Sequence, residues 1–229
     1  FDNGDLVGRD EMLAARPRDE AEVRRHLAEY YAMISHVDAQ IGRVLATLEA
    51  RGWTEDTIVV FAGDNGLALG QHGLMGKQNL YDHSVRVPLI MAGPGVPQGD
   101  RTPARCYLYD IYPTLCALAG LPTPATVDGL SLVPAMRAPQ NLLRDTLYCA
   151  YKELQRSVRD GRYKLIEYVV DGRRTTQLFD RQADPWELNN LAEQPGAAAT
   201  LDRLRQQLRR WRDDLDDPSD TFWSIFGED

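Results

Sequence analysis

The sequence predicts an α/β chain that gives way, near residue 140, to a small antiparallel α+β region closed by a helix. Three observations predict it. From Val23 to Leu48 apolar residues recur at helical steps. Two apolar runs, Ile58 to Ala62 and Val87 to Met91, show no alternation and each ends near a glycine, as strands of a covered sheet do. After Asn141 the chain changes to short strand candidates separated by Asp-Gly pairs. The expected division is 1–140 for the larger α/β portion and 141–229 for the small antiparallel subdomain with its packing helix.

Phe1 to Arg18 is polar and irregular, and Phe1-Asp2-Asn3-Gly4 reads like the middle of something. Asp19 and Glu22 then stand at capping-box spacing, with Asp in place of the usual Ser or Thr. Val23, Leu27, Tyr30, Ile34, Val37, Ile41, Val44 and Leu48 follow in alternating steps of four and three, so one stripe of a long helix is expected to face a core. Gly52 offers a left-handed stop. Trp53 to Asp56 is a short turn, and Ile58 to Ala62 is expected as a central strand covered on both faces. Gly93-Pro94-Gly95 ends the second apolar run. Tyr107 to Ala119 reads as a second helix stopped by Gly120, and Leu121 to Pro139, rich in Pro and Gly, as a connecting loop.

Thr146–Tyr151, Arg156–Val158, Tyr163–Val170 and Thr175–Phe179 are the strand candidates of a meander, turned by Asp160-Gly161 and Asp171-Gly172 and closed by Asp184-Pro185. Leu201, Leu204, Leu208, Trp211 and Leu215 line one face of a last helix. Its other face, Arg203, Arg205, Arg209, Arg210 and Arg212, is expected to be solvated, with the acidic stretch from Asp213 to Asp220 cancelling its field. Phe222, Trp223, Ile225 and Phe226 are expected to pack back on the body.

Composition bounds the function. The 229 residues are 43% hydrophobic, enough for one sizeable core or a core with a satellite. A net charge of −8, with both signs interspersed, argues against a nucleic-acid surface. No apolar run approaches the roughly 20 residues of a membrane span. Cys106, Cys116 and Cys149 form neither a disulfide framework nor a metal-site spacing, which favours a reducing, cytoplasmic setting over a periplasmic one.

The chemistry concentrates between Gly63 and Lys77. In open α/β sheets ligands bind just beyond the carboxyl ends of strands, and Asp64-Asn65-Gly66 stands there. A carboxylate beside an amide suits a hard divalent cation, Ca²⁺ or Mg²⁺, although two oxygens are short of the roughly six to eight that Ca²⁺ takes. The same tripeptide equally suits an Asx-type turn. Lys77 lies in a glycine-rich loop that fails as a P-loop at two places: Gln78 follows Gly76-Lys77, and position 71 is Gln. Taken singly, Lys77 reads as a surface charge, and His72 and His83 as structural histidines.

Together the motifs say more. Asp64-Asn65-Gly66, Leu69-Gly70-Gln71-His72-Gly73, Lys77, Tyr81 and Arg86-Val87-Pro88-Leu89-Ile90 resemble the second signature region of the sulfatase family, within the alkaline-phosphatase-like superfamily. The likeness extends through Asp110-Ile111-Tyr112-Pro113-Thr114, Asp128-Gly129-Leu130-Ser131-Leu132, and Tyr163-Lys164-Leu165-Ile166 with Leu178-Phe179-Asp180, covering about residues 20 to 195. It implies a partial alkaline-phosphatase-like α/β sandwich, carrying the later strands and helices of the main sheet, followed by the small subdomain. It also implies sulfate-ester hydrolysis by a formylglycine nucleophile with a divalent cation. Asp64 and Asn65 match the family's later metal-ligand pair and Lys77 its sulfate-contacting lysine. His72 falls in the family's Gly-Glu/Gln-His-Gly segment, near the pocket.

The departure is as informative. Cys106-Tyr-Leu, Cys116-Ala-Leu, Cys149-Ala-Tyr and Ser84-Val-Arg all lack the proline of the family's Cys/Ser-x-Pro-x-Arg nucleophile motif. The formylglycine is therefore expected upstream, and this chain alone is expected to be inactive and to bind its cation poorly. The expected substrate is a sulfate ester of a small molecule or saccharide. A phosphodiesterase or phosphonate monoester hydrolase of the same superfamily is the alternative chemistry, and a non-catalytic binding module the alternative class. Self-association through an exposed sheet flank is expected as well.

Overall fold

The computed structural model describes residues 2–6, 12–138 and 140–227. Phe1, part of the irregular N-terminal stretch and Pro139 of the expected connecting loop lie outside them. The chain forms two compact units built from interleaved segments: Arg16–Asp64 with Val87–Arg144, and Phe1–Ala15 with Asn65–Arg86 and Asp145–Asp229. The excursion between the two apolar runs, residues 65–86, which holds the short helix α2 (Asp82–Val85), is thus grouped with the antiparallel sheet.

In the first of these units the long helix α1, Glu20–Ala50, starts where the cap spacing predicts: the Asp19 carboxylate accepts from the Glu22 amide at 3.2 Å. It stops where Gly52 takes φ +70. Its stripe is where expectation and structure part. No residue of α1 is buried, and Val37 and Val44 are 52% and 62% exposed. The strand expected to be covered on both faces, β1 (Val59–Ala62), pairs antiparallel with β2 (Leu89–Ala92), and Phe61 and Ala62 are exposed. The reason is dimensional. Thirty-one residues of helix run about 46 Å, whereas two strands about 13 Å long and 5 Å apart cover only a fraction of that length. A groove of about 1030 Å³ remains, lined by Ile34, Val37 and Ile41 of α1 and by Phe61 and Ile90 of the strands.

Asp110 organises the rest of this unit. A 3-10 turn, Leu108–Asp110, leads into α3 (Ile111–Leu118), and Gly120 ends it at φ +69. The Asp110 carboxylate is fully buried and takes both guanidinium arms of Arg144 at 2.7 and 2.8 Å. It also accepts the amides of Tyr107 and Leu130 at 2.8 and 2.7 Å. Thr114 donates to the Asp110 carbonyl at 2.6 Å and accepts the Leu132 amide at 2.8 Å. Those pins fold the expected connecting loop into more than a loop: it contains a short helix, α4 (Val133–Arg137), with Val133 and Ala135 buried.

The other unit is a four-stranded antiparallel sheet in the order β3 (Leu147–Tyr151), β4 (Gln155–Arg159), β5 (Tyr163–Val170), β6 (Arg173–Asp180). Asp171 and Gly172, at φ +49 and +73, form the two-residue turn between the facing pair Val170 and Arg173, as a type I′ hairpin requires. Strand β5 is covered on both sides, so its period of two sorts its residues. Leu165 and Val169 face α5 (Ala198–Leu215) and α6 (Asp220–Phe226), with Leu201, Leu204, Leu208, Phe222 and Phe226 completing that core. Ile166 and Tyr168 face the 65–86 excursion, against Ala68, Leu74, Leu80 and Tyr81. Phe222, Trp223 and Phe226 of the tail therefore pack back as expected, whereas Ile225 stays exposed.

The arginine face of α5 is solvated only in part: Arg203 and Arg210 stay exposed, while Arg205, Arg209 and Arg212 are half-buried. Arg205 donates to the fully buried Glu167 of β5 at 2.9 Å. Arg203 pairs with Asp160 at 2.7 Å, and Arg209 and Arg212 lie over the rings of Phe226 and Trp223. Nor does the acidic stretch merely screen it, since Asp217 accepts from Arg156 at 2.6 and 3.0 Å and from the Tyr148 hydroxyl at 2.5 Å.

Candidate active site

Asp64 is exposed, two residues beyond the carboxyl end of β1. The next residue, Asn65, opens the excursion that lies on the antiparallel sheet. Gly66 fixes the turn: its amide donates to the Ser84 carbonyl at 2.9 Å, and a Cβ there would sit 1.8 Å from the His83 carbonyl oxygen. From there the segment folds back on itself, with Ala68 donating to the Gly76 carbonyl and Gly70 to that of Leu74. The tip is made of left-handed residues, Gly70, His72 and Gly73 at φ +100, +56 and +71. The return leg carries Lys77, whose ammonium donates to Asn65 Oδ1 at 3.1 Å. Asn65 Nδ2 in turn donates to the Gly66 carbonyl at 2.9 Å, which fixes which end of the amide meets the lysine. Two of the four predicted residues are thereby brought together across twelve positions of sequence.

His72 makes its contacts elsewhere. Its Nε2 donates to the carbonyl of Trp186 at 3.2 Å, and its ring stacks on Tyr81, 3.9 Å between centroids and 7° from parallel. Burial lowers its pKa, only partly opposed by the Trp186 carbonyl, so the ring is neutral at neutral pH. His83 lies beside it, 5.6 Å between ring centroids, with Nε2 buried and lacking a hydrogen-bond partner. Burial, with the neighbouring His72 and Lys164 adding to it, drives the His83 pKa down to about 3.

Beneath these rings runs a charge network that the sequence reading missed. Lys164, 1% exposed, donates to Asp82 Oδ1 at 3.0 Å and stands 2.9 Å from Glu187 Oε1, an ion pair without hydrogen-bond alignment. Glu187 Oε2 accepts the Asp82 amide at 2.8 Å, and Arg181 closes the group on Asp82. Burial by itself would raise Asp82, but Lys164 and Arg181 outweigh it and hold the carboxyl below its usual range. The signals for this network were a lysine inside the apolar run Tyr163–Val170 and an acid directly after Asp184-Pro185-Trp186.

The residues from 70 to 214 match the family described as "N-sulphoglucosamine sulphohydrolase, C-terminal", and residues 8–121 match that described as "Sulfatase". The chain belongs to the sulfatase family. Among the relatives of this sulfatase-family chain, a choline-sulfatase of Rhizobium meliloti is 37% identical over 183 residues, 77% of this chain and 35% of the relative. A solved structure in complex with its substrate, D-glucosamine-2-N,6-O-disulfate, is 28% identical with a TM-score of 0.80, over 90% of this chain and 45% of that one. A phosphonate monoester hydrolase of Agrobacterium radiobacter is also similar, 28% identical with a TM-score of 0.77, over 88% of this chain and 44% of that one. The chain thus spans about a third of the curated relative's length and under half of either solved one. These likenesses bear out the α/β, alkaline-phosphatase-like fold and the match to the C-terminal portion of the family.

Asp64 and Asn65 fit a hard divalent cation in kind, as neighbouring oxygen donors, and would supply two of its roughly six to eight oxygens. Among the described residues no three His, Cys, Asp or Glu side chains cluster as a metal site. No helix in this set is long and apolar enough to cross a membrane.

Proposed function

We propose that the protein to which this chain belongs hydrolyses sulfate esters, and that this chain contributes the half of the site that grips the anionic head. The observation that carries the reading is the Lys77 ammonium held 3.1 Å from Asn65 Oδ1 directly after Asp64. Asp64 and Asn65 would hold a divalent cation, Ca²⁺ or Mg²⁺, whose charge stabilises the sulfate oxygens when it is bound. Lys77 donates to a sulfate oxygen and offsets the negative charge that builds toward the leaving group. The Asn65 amide, oriented by its bond to the Gly66 carbonyl, holds that ammonium in place before substrate arrives. The formylglycine nucleophile and the remaining cation ligands lie outside this chain in our reading, so the chain alone turns nothing over.

Sulfate over phosphonate is supported by the choline-sulfatase likeness and by the sulfated substrate in the solved neighbour. A sulfated saccharide or small molecule is the proposed substrate. The test has two arms. The 229-residue chain is assayed with an aryl sulfate, and no product is expected. In an active full-length protein carrying this sequence, Lys77→Ala is expected to lower kcat/KM for the sulfate ester about 10²–10³-fold, the cost of losing one preorganised donor. Turnover by the chain alone, or a faster rate on a phosphonate monoester than on the sulfate, would overturn the reading.

A further inference from the structure

The His72 ring is held at two places, through Nε2 by the Trp186 carbonyl at 3.2 Å and through its face by Tyr81. A carbonyl oxygen only accepts, so the proton of this ring sits on Nε2 and Nδ1 carries a lone pair. Sulfate oxygens are acceptors too and have nothing to give Nδ1. What this nitrogen can take is an O–H or N–H, which belongs to the alcohol half of an ester rather than to its anionic head.

The residue that fixes the imidazole is itself unusual. Trp186 is 65% exposed and Leu188 68%, while Glu187 between them is 2% exposed. Glu187 takes φ +59, a conformation that side chains other than glycine rarely adopt. Its carboxylate is turned in to Lys164 and to the Asp82 amide. The buried network thus pins a strained loop whose two apolar side chains stand outward, one of them on the residue that aims His72.

We infer that His72 and Trp186 form the leaving-group subsite of this site, His72 Nδ1 accepting a hydroxyl or amine hydrogen of a sulfated sugar and the Trp186 indole lying against the sugar ring. The inference rests on the sulfate-ester reading of Asn65 and Lys77. A saccharide satisfies both groups, since it offers donors around an apolar C–H face. A quaternary ammonium ester would suit the indole through its cation but has no hydrogen for Nδ1. An unsubstituted aryl ester likewise has none.

The experiment uses the full 229-residue chain, labelled with ¹⁵N, in buffer containing Ca²⁺. Inorganic sulfate, choline sulfate and D-glucosamine 6-sulfate are titrated in turn. The resonances followed are the His72 ring nitrogens, the Trp186 indole N–H and the Asn65 side-chain amide. The free chain is expected to show the Nε2–H form of His72. Glucosamine 6-sulfate is expected to shift Nδ1 and the indole, and to bind about tenfold more tightly than inorganic sulfate, the scale of one well-placed aromatic contact. Trp186→Ala, a change at an exposed side chain, should abolish that preference and Trp186→Phe restore part of it. If the sugar sulfate moves Asn65 while His72 and Trp186 stay silent, or choline sulfate shifts Nδ1 as strongly, the subsite is overturned and the anion cradle stands. If inorganic sulfate leaves Asn65 unmoved while the sugar still shifts His72 and Trp186, the cradle falls and the subsite stands. Silence at all three positions overturns both.

Discussion

Hydrogen is the largest substituent that position 66 accepts. A methyl there would lie 1.8 Å from the His83 carbonyl oxygen, and backbone cannot step aside as a flexible side chain can. Gly66→Ala is expected to destabilise the antiparallel unit by about 3 kcal/mol or more, the upper end for overpacking, and a urea midpoint equal to wild type would refute this. His83 sets an acid limit. Its pKa near 3 lies well below the ordinary value of 6.5, so as pH falls through 6.5 the unfolded chain takes the proton first. His72, lowered as well, acts in the same direction. Asp82, depressed below 3.8, stabilises above that value and gives way only at lower pH. Between pH 6.5 and 4 the loss should therefore trace to histidine. The drop in urea midpoint from pH 7 to 4.5 should shrink in His83→Phe, and an undiminished drop would count against it. At this scale the sequence exposed part of the site. Lys77 and Asn65 were both singled out by a resemblance carried by a short contiguous stretch, and their hydrogen bond is what the structure adds. The support of His72 by Trp186 spans 114 positions, and no local pattern connects the two.

Among elements, legibility tracks how local the cause is. Asp19, Gly52 and the Asp171-Gly172 turn act within a few residues, and the elements they bound stand where they were predicted, except that β6 starts two residues earlier, at Arg173. Leu201, Leu204 and Leu208 share one face by period alone and are buried. Period does not say what covers a face, which is why the stripe of α1 and the strand β1 were expected to be covered and are not. Nor does it say which arginine finds an acid: Arg205 meets Glu167 across 38 positions. Helix α4 went unread because it is held by Asp110 and Thr114 from another segment. The open stripe makes its own prediction. Val44→Lys should change stability by less than about 0.5 kcal/mol, as a surface substitution does, and should lower the fluorescence of a dye that binds apolar surface. A loss of about 2 kcal/mol or more, the scale of a core truncation, would mean that the stripe is covered in solution.

For the molecule as a whole, the telling feature is the path of the chain between its two units. Residues 2–6 are tied to the antiparallel sheet, with Asp5 accepting from the Tyr151 hydroxyl and the Asn3 carbonyl from Gln155. Residues 65–86 return to that sheet, and 145–227 complete it. A truncation ending at Arg144 should therefore lose hydrogen-exchange protection at the Ala68 and Gly70 amides, while retained protection would mean that the 65–86 segment holds its own shape. The consequence reaches into synthesis. A ribosome emits Asn65, His72 and Lys77 dozens of residues before the strands that seat them, an interval on the order of seconds at ordinary translation speed. During that wait these three side chains exist without their platform, and a chaperone or protease meets them first as loose polymer.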